Sequence, residues 1–113
     1  MILDDWIKKY EKKAEPFSIP SGFVLWFEPN KGFFLYAKNG DYLEIDATCT
    51  TDIKAIMAVA NAKAKIYGCR FLRTQTHRDP IAYMRLTGAT PDFGLSGHRD
   101  NGLMYWVFWK EVV

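Results

Sequence analysis

Glu44 and Asp46 stand two residues apart in Tyr42-Leu43-Glu44-Ile45-Asp46-Ala47-Thr48, where polar and apolar side chains alternate. A period of two marks a half-buried strand, so both carboxylates share a face with Tyr42 and Thr48, opposite Leu43, Ile45 and Ala47. A carboxylate on such a strand suits a general base; it suits equally an ion pair with a cation such as Arg73, or a place in water. His77 closes the run from Cys69 to Thr76 and offers a second base or a substrate contact, with an exposed loop imidazole as the plain alternative. His98, beside Arg99 and Asp100 in a polar stretch, reads as exposed. Two isolated His and two separated Cys give no metal-ligand spacing, so no metal is expected. No Ser-His-Asp order or supported Cys-His pair is present, and Cys49, ahead of a helix start, is at most thiolate-prone.

The elements that must position these groups follow from periodicity. Leu3, Trp6, Ile7, Tyr10 and Ala14 recur at helical spacing, with lysines around the other face, until Pro16 stops the pattern. Apolar runs at 23–27 and 33–37 are separated by Pro29-Asn30-Lys31-Gly32, and Lys38-Asn39-Gly40-Asp41 links the second to 42–48. Asn-Gly favours a tight hairpin, so a three-strand antiparallel meander is expected. Thr50, Thr51 and Asp52 are all N-cap types, and Ile53, Ile56, Met57, Ala60, Ala64 and Tyr67 continue at helical spacing to Gly68. Residues 69–76 read as a strand, which makes strand, helix and strand a parallel crossover. Cys49 and Cys69 flank that helix at roughly 24 Å for about 16 helical residues, beyond the roughly 7 Å a disulfide allows. Asp79-Pro80 opens a short helix to Gly88. A weak strand at 90–95, a polar turn at 96–102 and an apolar strand from Leu103 to Trp109 form a last hairpin.

Composition narrows the class. The 113 residues are 49% hydrophobic and 25% charged with net charge +2, which excludes disorder, and two Cys exclude a disulfide scaffold. No run reaches the roughly 18 to 20 apolar residues of a membrane span, so no membrane association is expected. The start, MILDDWIKKYEKK, lacks an apolar signal core, so a cytoplasmic location is expected. A pI near 8.5 is too low to argue for nucleic acid. Seven cations against three anions between Asn61 and Asp100 leave one half able to face an anion, or simply solvated.

The order of elements, with the segment Ala58-Val59-Ala60-Asn61-Ala62-Lys63-Ala64-Lys65-Ile66-Tyr67-Gly68-Cys69-Arg70-Phe71-Leu72-Arg73-Thr74 leading into Tyr83-Met84-Arg85-Leu86-Thr87-Gly88-Ala89, resembles the GNAT superfamily of N-acyltransferases over about residues 22 to 110. The resemblance implies a single α/β (α+β) domain with a mixed sheet of about six strands and about three helices, the family's usual first strand having no counterpart. It also implies acetyl-CoA as cofactor, with pantetheine along the strand carrying Ile45, Ala47 and Thr48. The pyrophosphate would lie at Thr50, Thr51, Asp52, Ile53 and Lys54. Helix starts suit phosphate because free N–H groups and partial positive charge meet there. The family's loop usually carries a leading cation and glycines, which Thr50-Thr51-Asp52-Ile53-Lys54-Ala55 lacks. Its usual Tyr general acid, four residues before the helix-ending Gly, is Met84 here; Tyr83 is adjacent, about 100° around the helix.

Two functions follow from this resemblance. One is an acyltransferase that moves an acetyl group to an amine, with Glu44, Asp46, His77 and Tyr83 as catalytic candidates. The other is a noncatalytic protein of the same fold, such as a phage-encoded and virion-associated one, working through protein contacts. Of the aromatic residues, Trp26, Trp106 and Trp109 read as core or subunit interface. The Leu103 to Trp109 strand is the expected surface for a homo-oligomer or protein partner.

Overall fold

Phe33 and Phe34 are adjacent on one strand, point to opposite sides of the sheet, and are both wholly buried. Each anchors one of the two layers that cover the sheet. The computed structural model describes residues 1–113. The chain runs α1 (Leu3–Glu11), β1 (Val24–Glu28), β2 (Gly32–Asn39), β3 (Tyr42–Thr50), α2 (Ile53–Ile66), β4 (Phe71–Thr76), α3 (Pro80–Thr87), β5 (Thr90–His98) and β6 (Met104–Glu111). The six strands form one mixed sheet in the order β1-β2-β3-β4-β6-β5, with only β3 and β4 parallel. No helix is long and apolar enough to cross a membrane.

On one face, α2 buries Ile56, Met57, Ala60 and Ala64 against Phe34, Tyr36, Leu43, Ile45 and Leu72. Beside them, α3 sets Tyr83 on Phe108 with ring centroids 4.6 Å apart. On the opposite face, α1 packs Trp6 and Tyr10, one turn apart, against Phe33, and the Trp6 indole N–H donates to the Pro29 carbonyl at 3.0 Å. Burying aromatic area from both sides is the main stabilising contribution such a small sheet can draw on.

Several boundaries differ from the sequence expectation. α1 stops at Glu11 rather than at Ala14, with Lys12 as its C-cap. β5 extends through Ser96 to His98, positions expected to be a turn, because a register shift between Asp92 and Gly97 lets it stay paired with β6. The turn shrinks to the residues around Gly102, whose φ of 84° needs glycine. β6 lies inside the sheet, hydrogen-bonded to β4 on one edge and β5 on the other. That position explains why 103–109 is apolar on both faces. Cys49 and Cys69 are both free thiols, as their separation across α2 requires.

Candidate functional site

β3 and β4 start as neighbours and then separate. Their parallel ladder pairs Tyr42 with Phe71, Leu43 with Leu72, Glu44 with Arg73 and Ile45 with Thr74, and ends there. The cause lies on the other edge of β3. Leu35 sits opposite Asp46 and Phe33 opposite Cys49, so β3 holds one more residue than β2 across this interval. The extra residue is a β-bulge, and Ala47 takes φ 43°, the one non-glycine residue of the chain at positive φ. A bulge bends and twists its strand, which carries the end of β3 away from β4 and leaves backbone on that side unladdered.

The opening is a cleft of about 290 Å³. Its walls include Ile45, Asp46, Ala47, Thr48, Cys49 and Thr50 from β3, Thr74, Gln75 and Thr76 from β4, and Ile53, Ile56 and Met57 from α2. His77 and Arg78 come from the loop after β4, Tyr83 from α3, Arg99 and Leu103 from the last turn, and Lys9, Tyr10, Lys13 and Ala14 from the α1 side. The cleft therefore reaches from the α2/α3 layer to the α1 layer.

Asp46 is half-buried, and burial pushes its carboxyl above the usual range, against the pull of the Ala47 N–H bond and Arg99. Around it, the Tyr10 hydroxyl donates to Glu15 at 3.0 Å, Arg99 Nε lies 2.9 Å from the same carboxylate, and Arg99 Nη2 donates to Gln75 at 2.6 Å. Burial, followed by Glu15, pushes the Tyr10 phenol far above its ordinary value, so it stays protonated. His77 Nδ1 lies 2.9 Å from the Met104 carbonyl, which can only accept. That bond puts the proton on Nδ1 and leaves Nε2 as the basic nitrogen. The Tyr83 hydroxyl is buried and donates to Thr74 Oγ1 at 2.8 Å; burial raises its pKa above the ordinary 10.

The other candidates either lie outside the cleft or, like Thr50 and Cys49, line it with side chains that are already bonded or unreactive. Glu44 does not reach the cleft: it pairs with Arg73, whose guanidinium stacks over Tyr42 at 4.7 Å and Trp109 at 5.7 Å. The ion pair weighed against its role as base is the one the structure shows. Asp52 caps α2 by accepting from the Ala55 N–H at 3.1 Å, while Thr51 and Lys54 are exposed outside the cleft. The Thr50 hydroxyl donates to the Lys31 carbonyl at 2.6 Å and accepts from the Asp52 N–H. His98 is exposed at the end of β5. Burial raises the Cys49 thiol and outweighs the nearby Lys9, Lys13 and Arg78, so it is not thiolate-prone. Sequence reasoning missed Lys9, Lys13, Tyr10, Arg78 and Arg99 at this site. The available signal was the cation excess between Asn61 and Asp100, which includes Arg78 and Arg99 and read either as facing an anion or as solvated; Lys9 and Lys13 read only as part of the polar side of the first helix.

No family model and no curated protein sequence matches the chain. Solved structures do. An acetyltransferase of Bacillus subtilis, in complex with CoA, is 14% identical at a TM-score of 0.57, over 96% of this chain and 84% of that one. A Klebsiella pneumoniae protein assigned as an acyl-CoA N-acyltransferase is 15% identical at 0.58, over 98% and 85%. Ard1 of Thermoplasma volcanium is 11% identical at 0.55, over 95% and 78%. The fold is that of the GNAT acetyltransferases. Within the GNAT fold of this chain, the parting of β3 from β4 is the feature that makes a cleft, and Ala47 is the residue at its hinge.

Proposed function

We propose that the cleft holds the pantetheine arm of an acyl-CoA, acetyl-CoA being the simplest, and that the acyl group passes to an amine. The observation that supports this most directly is the end of the β3–β4 ladder at the Ile45–Thr74 pair, with Asp46, His77 and Tyr83 on the walls beyond it. Beyond Ile45 the β4-facing edge of β3 has no ladder partner, so backbone groups there can meet an amide-bearing chain, the Ala47 N–H excepted because Asp46 holds it. Apolar Ile53, Ile56 and Met57 cover the α2 side. When bound, the thioester supplies an electrophilic carbonyl and a thiolate leaving group. Asp46 takes the proton that the amine loses as the C–N bond forms, and a raised pKa makes it the stronger base. His77, with Nε2 free, is the second group able to take that proton. Tyr83 keeps its proton across the neutral range and delivers it to sulfur as the C–S bond breaks.

Calorimetry with CoA and acetyl-CoA, followed by a thiol-release assay over a panel of amines, tests the reading. Binding of both ligands and amine-dependent thiol release are expected; no binding at millimolar ligand would sink it. A second reading, a noncatalytic protein acting through contacts, has its own support. Phe93 is 67% exposed and Leu95 44% exposed on β5, an edge strand. Since both edges of the Leu103 to Trp109 strand are taken within the sheet, the partner would add at β5. A strict monomer in light scattering, with no partner retained in a pull-down, would remove that reading.

A further inference from the structure

The chain has three ion pairs, Arg70–Asp41, Arg73–Glu44 and Arg99–Glu15, and none includes Lys9, Lys13 or Arg78. Lys9 and Lys13 come from the α1 side and Arg78 from the loop after β4, far apart in sequence, yet all three line the cleft. All three also act on the thiol of Cys49, which places them around the last residues of β3. Lys9 stands on α1, and Lys13 lies two residues beyond its end, in the turn closed by the Lys13 N–H donating to the Tyr10 carbonyl at 3.0 Å. Lys9 Nζ lies 5.1 Å over the Trp6 ring, which steadies the side chain without neutralising it. Arg78 donates from Nη2 to the Thr50 carbonyl at 3.3 Å, which anchors its guanidinium across the cleft mouth and leaves its other N–H groups free.

Asp46 is the one carboxylate on the cleft walls, and the cation acting on it is Arg99 rather than Lys9, Lys13 or Arg78; the helix-capping carboxylates lie off those walls. Asp52 accepts from the Ala55 N–H at the start of α2, and Asp79 accepts from the Ile81 N–H at 2.8 Å at the start of α3. At the start of α2 the Asp52 carboxylate takes the Ala55 N–H and puts negative charge where a helix start would otherwise attract phosphate, and Thr50 has spent its hydroxyl on Lys31 and Asp52.

We infer that Lys9, Lys13 and Arg78 form an anion cradle at the open end of the cleft that holds the pyrophosphate of a phosphorylated pantetheine ligand. This rests on the reading of the cleft as a pantetheine site. The planar fork of Arg78 presents paired donors to phosphate oxygens, and the two ammonium groups add point charges from the α1 side. Because Lys13 and Arg78 are exposed, the attraction is screened by salt.

The test is calorimetry of the full chain and of the K9Q/K13Q/R78Q variant with three probes: inorganic pyrophosphate, CoA and phosphate-free pantetheine. In the parent, CoA is expected to bind more tightly than pantetheine by about 10- to 100-fold, the range for one or two charge-assisted contacts. In the variant that advantage and pyrophosphate binding disappear while pantetheine binding stays. Lys13→Gln and Arg78→Gln, singly at exposed positions, give the same direction should the triple variant fold poorly. A triple variant that holds CoA as tightly as the parent overturns the cradle, as does a Lys54→Gln variant that loses more pyrophosphate binding than the triple one. Pantetheine binding without a phosphate-dependent advantage removes the cradle and leaves the proposed function standing. Pyrophosphate binding that depends on the three cations, without pantetheine binding, keeps the cradle and removes that function.

Discussion

Asp46 accepts a hydrogen bond from the backbone N–H of Ala47 at 2.8 Å, and Ala47 holds φ at 43° immediately beyond it. The proposed base thus braces the residue whose left-handed backbone opens the cleft. An L side chain at such a φ costs about 1–2 kcal/mol, and a β-branched one more. Ala47→Val is expected to lose about 2 kcal/mol or more of stability in chemical denaturation. Ala47→Gly is expected to stay within about 1 kcal/mol of the parent, relief of strain offsetting the added freedom of the unfolded chain. Equal losses in both variants would show that φ at this position is not strained.

Asp46 gives a pH-dependent expectation. Its folded pKa is raised above the ordinary 3.8, so the folded state holds its proton more tightly than the unfolded state does. Asp46 therefore contributes stability that is fully present below about pH 3.8 and is lost as pH rises through the folded value. Asp46→Asn removes the titrating charge and keeps an oxygen for the Ala47 N–H. The variant is expected to be more stable than the parent at pH 7, with the difference vanishing at acid pH, and to lose transfer activity by about 100-fold or more if Asp46 is the base. A stability difference that does not change with pH would contradict the raised pKa. Retained activity would move the role to His77.

Much of the architecture was legible because it depends on periodicity. The alternation Leu43, Ile45 against Glu44, Asp46, the i, i+3, i+4 pattern of Ile53, Ile56, Met57 and Ala60, and the Asn39-Gly40 turn each encode a local preference that the packing agrees with. The bulge at Ala47 was not legible, since left-handed backbone ordinarily announces itself by glycine or asparagine, and here tertiary packing imposes it on alanine. Glu44 and Asp46 looked equivalent on one strand face. They differ only because Arg73 stands opposite Glu44 in the ladder, while the strand has left β4 by Asp46. The cations of the cleft were hidden for a related reason: Lys9, Lys13 and Arg78 are brought together by α1 crossing the sheet, which no local pattern records.

Gly32 fixes the base of the same strand. Its φ is 118°, and a Cβ there would meet the Cys49 carbonyl oxygen at 2.0 Å, which is backbone and cannot swing aside. Gly32 also pairs with Thr50, the last residue of β3. Gly32→Ala is expected to cost about 2–4 kcal/mol from overpacking and backbone strain together. Because the shift lands on the cleft rim, CoA binding should weaken as well. A variant as stable as the parent in urea would mean that β2 and β3 are not so close at this end.

Tyr83 separates a structural role from a chemical one. Its hydroxyl donates to Thr74 Oγ1 at 2.8 Å from a side chain only 4% exposed, so Tyr83→Phe and Thr74→Val each break the same bond. Both are expected to lose about 1 kcal/mol of stability, the net value of one buried hydrogen bond. Only Tyr83→Phe removes the proton meant for sulfur, so kcat should fall about 100-fold in that variant and less than tenfold in Thr74→Val. The raised pKa adds a second readout: the parent rate should show no alkaline decline from Tyr83 up to its ordinary pKa of 10, because burial holds the proton on. If Tyr83→Phe keeps the parent kcat, the hydroxyl serves only to tie α3 to β4, and the thiolate leaves unassisted or takes its proton from water.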